Sequence, residues 1–117
     1  MNKKYELVPE LNIEFDGHTL YRIRALREIV FTDGAVVARG ELGGYIEDEG
    51  NLSHAGNAWV FGDAQVSDSA RVFGDARVFG DARVSDSAWV FGDAQVSDNA
   101  RVFGDAWVSD GGGDADA

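Results

Sequence analysis

The chain has no cysteine and only two histidines, His18 and His54, in 117 residues. Without cysteine there is no disulfide framework and no thiolate zinc site, an absence that fits a cytoplasmic protein. Cations are also scarce: ten Lys and Arg face 21 Asp and Glu, for a net charge of −11 and a pI near 4.3. That balance disfavours direct binding to nucleic acid or to an anionic membrane, and favours a protein partner with a basic surface. No apolar run approaches the length of a membrane span. The opening Met1-Asn2-Lys3-Lys4-Tyr5-Glu6 has no long apolar stretch behind its lysines and does not read as a signal peptide. Threonine is confined to Thr19 and Thr32, so the later part of the chain cannot build the flat threonine ranks of an ice-binding surface.

What the sequence has in abundance is a six-residue cadence. From Ala58 onward it reads Ala-x-Val-x-x-x through nine hexads, which begin at Ala58, Ala64, Ala70, Ala76, Ala82, Ala88, Ala94, Ala100 and Ala106. A short fixed period is the mark of a solenoid. Ala and Val stand two apart, so in an extended segment both face the interior, while their neighbours face outward. The Gly-Asp and Ser-Asp pairs after each strand suit corners, because Gly accepts positive φ and Asp bonds its own local backbone. Each hexad is then one strand and one turn, and three hexads make a triangular coil of 18 residues.

Sorting the outward residues in that register gives three faces. The first carries Trp59, Arg77 and Gln95, with Phe61, Phe79 and Ser97. The second carries Gln65, Arg83 and Arg101, with Ser67, Ser85 and Phe103. The third carries Arg71, Trp89 and Trp107, with Phe73, Phe91 and Ser109. The outward Phe73, Trp89, Phe91 and Trp107 form an aromatic patch of the kind that marks an interface. A second copy of the chain, the N-terminal segment and a different partner are all candidates to cover it, and self-association is the expectation.

The cadence resembles the left-handed β-helix of hexapeptide-repeat proteins, in which a small residue follows an aliphatic one by four positions, as Ala64 follows Val60 and Ala70 follows Val66. The resemblance implies an all-β fold: a left-handed parallel β-helix of about three triangular coils. Arg22 to Arg27, Leu42 to Ile46 and Asn51 to Ser53 are also similar to uncharacterised bacterial and phage-associated members. If the chain is phage-encoded, its compartment would be the host cytoplasm.

Residues 1–50 follow a different rule and read as a small N-terminal β cap. Residues 5–8, 13–15 and 20–23 alternate as strands, with a hairpin signal at Asp16-Gly17 and a second turn at Thr32-Asp33-Gly34. The cap would cover the backbone edge of the first coil, which otherwise invites aggregation. The β-helix is assigned to residues 51–110. Asn51-Leu52-Ser53 is a degenerate opening hexad, and two extra residues bulge out near His54. Residues 111–117 read as a flexible acidic tail.

Chemistry is sparse. The acyl transfer of the resembled family needs a histidine base; His54 on its bulge is the one weak candidate, and no catalytic residue is assigned. His18, behind a hairpin turn, reads as a solvated turn residue. A carbonic-anhydrase-like metal site needs three histidines, so no metal is expected unless carboxylates substitute, and no cofactor is implied. A calcium β-roll has a period of nine, not six.

The remaining signal is acidic. Nine corner Asp residues over about 14 Å give roughly one carboxylate per 1.6 Å, beside one phosphate per ~1.7 Å in duplex DNA, before four arginines of the repeat offset part of the charge. The expectation is therefore a non-catalytic acidic β-helix that binds a basic protein surface. Its contacts would come from Glu47, Asp48, Glu49, Asp63, Asp68, Asp75, Asp81, Asp86 and Asp93, and its sharpest form is a phage-type inhibitor that mimics nucleic acid. An acyltransferase-like enzyme and a self-assembling solenoid, stacked end to end through residues 106–111, are the alternatives.

Overall fold

In the computed structural model, which describes residues 3–15 and 17–109, the hexads fold as nine two-residue strands on three faces of a prism. The first face stacks β6 (Trp59–Val60), β9 (Arg77–Val78) and β12 (Gln95–Val96). The second stacks β7 (Gln65–Val66), β10 (Arg83–Val84) and β13 (Arg101–Val102), and the third β8 (Arg71–Val72), β11 (Trp89–Val90) and β14 (Trp107–Val108). All pairs are parallel and in the 18-residue register, such as Trp59 with Arg77 and Trp89 with Trp107. Backbone bonds run from coil to coil; Trp59 N–H donates to Ala76 O at 3.1 Å and Phe61 N–H to Val78 O at 2.7 Å. The Val of every hexad is buried, from Val60 to Val108. A two-sided alternation of small and branched residues thus packs a narrow interior of Ala and Val within the nine hexads.

The corners use two residue types for one backbone need. Gly62, Gly74, Gly80, Gly92 and Gly104 adopt φ of 60–70°, and where the sequence has Ser-Asp instead, Asp68, Asp86 and Asp98 adopt φ of 56–58°. Asp tolerates this left-handed conformation better than most side-chain-bearing residues.

The solenoid begins before its cadence does. β5 (Leu42–Ile46) lies parallel to β7, with Tyr45 opposite Gln65 and Ile46 opposite Val66, and Leu52 bridges to Val72. These rungs add a coil ahead of the expected three, so the stack makes about four turns, and its first rung falls in the segment read as cap. The step from Leu52 to Val60 includes the expected bulge, with Gly56 at φ 70°. Residues 110–117, including Asp110 and the tail 111–117, lie outside the described residues.

The remaining N-terminal chain packs on the first coil and on parts of the first and second faces. β1 (Tyr5–Phe15) and β2 (His18–Ala25) form an antiparallel hairpin, and β2 pairs with β5, so one six-stranded sheet runs from cap to second face. The two-stranded β3 (Ile29–Val30) and β4 (Val36–Val37) unit packs on the first face, where Phe31 meets Phe61 and the Arg77 guanidinium lies 4.2 Å from the Phe31 ring. Close approach there requires Gly43, because a Cβ at that position would stand 2.6 Å from Val60 O and 2.9 Å from the Trp59 ring. Trp59, an outward position in the hexad, is consequently buried completely.

Candidate functional site

The lower end of the prism is held by groups that are unusual in a core. Lys4 is fully buried, with Nζ donating to Ala58 O at 2.6 Å. Burial, with the nearby Arg27 adding to it and Asp75 opposing, lowers its pKa to about 7. Tyr5 donates its hydroxyl to Leu52 O at 2.7 Å, and burial, reinforced by Glu49, holds the phenol above its ordinary range. His54 stacks on Tyr5 with ring centroids 4.1 Å apart. Its Nδ1 accepts from Lys4 N–H at 3.1 Å, which places the ring proton on Nε2, 2.9 Å from Glu49 Oε1. The candidate base therefore has its one lone pair occupied by the backbone, and the ring acts as a wedge between cap and first coil.

His18 is not the solvated turn residue the sequence suggested. It is half-buried at the edge between the second and third faces, with Nδ1 3.0 Å from Glu47 Oε2 and Nε2 3.2 Å from Asp68 Oδ1. Burial pushes the Glu47 carboxyl up, but bonds from His18 and from Asp68 N–H outweigh it and hold the group below its usual range. Beside this cluster a groove of about 570 Å³ runs over the second face, lined by Gln65, Arg83, Ser85, Arg101 and the rings of Phe15 and Phe103. The Arg83 guanidinium sits 4.2 Å from the centre of the Phe15 ring.

Several corner carboxylates expected to meet a partner are used within the fold. Glu47 Oε1 accepts from Asp68 N–H at 2.7 Å, Asp68 Oδ2 from Asp86 N–H at 3.3 Å, and Asp86 Oδ2 from Gly104 N–H at 2.9 Å. This ladder fastens the Ser67-Asp68 and Ser85-Asp86 corners to the next coil. Glu49 is bound by His54 and Lys3, and Asp48 caps the 3₁₀ turn Glu49–Asn51 by accepting from Gly50 N–H. Asp63, Asp81 and Asp93 are exposed and Asp75 is half-buried; Asp63 also lies 3.5 Å from Arg22. Sequence reasoning missed the ladder because a carboxylate's hydrogen-bond partner 18 residues away is visible only once the coils are stacked.

Several cations are engaged within the fold. Arg22 donates to Gly43 O and to the Tyr45 hydroxyl, Arg24 pairs with Glu6, Arg27 donates to Gly56 O, and Arg77 pairs with Asp33 at 2.9 Å. Lys4 is buried, whereas Lys3, Arg27, Arg39, Arg71 and Arg101 stay exposed among the carboxylates.

On the third face the four expected aromatic residues come together as a ladder. Trp89 stacks on Trp107 and Phe73 on Phe91, both pairs at 5.2 Å, and Phe73 meets Trp89 edge-on at 5.6 Å. Among the described residues neither hairpin packs on it, and Trp107 is 66% exposed.

Three stretches of the repeat, residues 70–85, 76–92 and 94–110, match the family model described as the YdcK beta solenoid repeat. Together with the stacked parallel coils, the match identifies a β-solenoid repeat protein. No curated protein matches the chain.

Proposed function

We propose that this protein acts without catalysis, as an acidic β-solenoid that occupies the basic surface of a protein partner. The observation that supports it most is the asymmetry of charge placement. Arginines and Lys4 hold the cap, while exposed carboxylates recur along the prism edges at the coil repeat, Asp63 above Asp81 among them. Such a field steers and selects a cationic partner more than it adds contact area. In its sharpest form the protein is a phage-type inhibitor that stands in for nucleic acid on a host complex, since edge carboxylates at coil spacing approximate a phosphate backbone.

The test leaves the carboxylates of the corner ladder alone, and the melting temperature of the variant checks the loose pairing of Asp63 with Arg22 at 3.5 Å. Asp63→Lys with Asp81→Lys should weaken partner binding by at least about tenfold at low salt and by much less at high salt, as screening removes the long-range part. Calorimetry against a partner captured from the host would measure this. Equal affinity for both forms at low salt would sink the electrostatic reading, and failure of duplex DNA to compete for the partner would sink the mimicry.

A second reading rests on the uncovered ladder: self-association through Phe73, Trp89, Phe91 and Trp107. Trp107→Lys, at the most exposed ring of the ladder, should lower the melting temperature by no more than a few degrees but shift the sedimenting species to the 12.6 kDa monomer. A wild-type chain that is already monomeric at every concentration would reject it.

A further inference from the structure

We propose that His18, Glu47 and Asp68 form a site for a divalent transition-metal ion, with zinc as the best-fitting probe. The three residues come from β2, the turn after β5 and the corner after β7, and one ligand atom from each lies within 4.8 Å of the others. One imidazole nitrogen and two carboxylate oxygens suit zinc or manganese better than calcium or magnesium, which prefer oxygen alone.

Two features make the cluster more than adjacent charges. Each carboxylate is oriented through its other oxygen: Glu47 Oε1 accepts from Asp68 N–H and Asp68 Oδ2 from Asp86 N–H. The oxygens left over face His18 from its two edges, Glu47 Oε2 at Nδ1 and Asp68 Oδ1 at Nε2, so an ion on one ring nitrogen would draw the other carboxylate round by side-chain rotation. This is the outer-shell bonding that holds metal-ligating carboxylates in place. The cluster also opens onto the groove over the second face, where His18 and Asp68 meet Ser67, Ser85 and Asp86, so water can complete the coordination that three protein ligands leave open. On binding, the ion takes the place of the proton on the coordinating ring nitrogen, which leaves to solvent.

The consequence would be structural. An ion there ties the hairpin tip to two successive coils, so it binds the folded chain in preference to the unfolded one. With the full chain first stripped by chelator, zinc alone should bind one to one by calorimetry and raise the melting temperature by several degrees, while an equal concentration of calcium or magnesium should not. His18→Ala should weaken zinc binding by about tenfold or more. Asp68→Asn, which keeps a residue tolerant of positive φ and able to accept from Asp86 N–H, should do the same with the fold intact.

Weak binding at many sites that His18→Ala leaves unchanged would overturn the proposal, because it would report only the general acidity of the surface. An unchanged wild-type melting temperature with zinc would overturn it as well, and would leave His18 as an ion-pair clasp between cap and solenoid.

Discussion

Replacing Trp59 by alanine should destabilise the protein by about 3–5 kcal/mol, the usual cost of removing a fully buried large aromatic side chain. The same change at Trp107 should cost about 1 kcal/mol or less, the worth of a surface aromatic stack. The two residues hold the same position in their hexads, between Ala and Val. Trp59 is completely buried and its ring meets Tyr5 edge-on at 6.3 Å, whereas Trp107 is 66% exposed. Truncation at 59 would open a cavity between first coil and cap, where the close packing around Gly43 leaves the backbone little freedom to collapse inward. Denaturant unfolding of the two variants would check the contrast. Equal effects would mean that the cap does not dock on the first face.

Stability should rise as pH increases from about 7 toward 10, which is uncommon for an acidic protein. The cause is Lys4. Its folded-state pKa is lowered from 10.5 to about 7, so between these values the unfolded chain holds a proton that the folded chain has released. Where the unfolded state binds more protons, stability increases with pH, here by up to a few kcal/mol across the window. Below pH 7 the amine is charged in both states and its burial works fully against the fold. Tyr5 sets the upper limit. Burial raises its pKa, so above pH 10 the unfolded phenol ionises while the folded one stays protonated, and stability falls again. Lys4→Met should flatten the rise between pH 7 and 10 without removing the fall above it. A wild-type urea midpoint that is constant over pH 7–10 would contradict a buried, largely neutral Lys4.

The two predictions concern the same small region, the seam where a non-repeating cap meets a repeating prism. Tyr5, His54, Lys4 and Trp59 pack there, and Lys4 and Tyr5 donate to the Ala58 and Leu52 carbonyls of the first coil. Satisfying that edge with side chains rather than with another strand lets the prism end without a reactive backbone edge on this side. In the same seam the His54 nitrogen Nδ1 accepts Lys4 N–H.

Much of the solenoid was legible in the hexads. Inward Val and Ala, outward aromatics and Gly or Asp corners follow from a period of six read against a side-chain alternation of two. The four-ring ladder on the third face followed as well, since coil stacking in an 18-residue register brings those positions into line. The first coil was not legible, because Gly43-Gly44-Tyr45-Ile46 and Asn51-Leu52 supply its rungs without the hexad spelling. Nor was His18, whose two carboxylate neighbours lie in other elements.

By itself, then, the sequence determined the prism, its three faces and the acidity of its edges, since all three depend on local spacing and composition. Only the tertiary structure decided which outward residues are surface and which are core, which carboxylates are free and which bond the next coil, and where the histidines stand. Those outcomes depend on where a cap without a repeat docks on a prism whose faces share one backbone geometry. The choice among faces rests on individual contacts, such as Phe31 on Phe61 and Gly43 against Trp59, which no periodicity encodes.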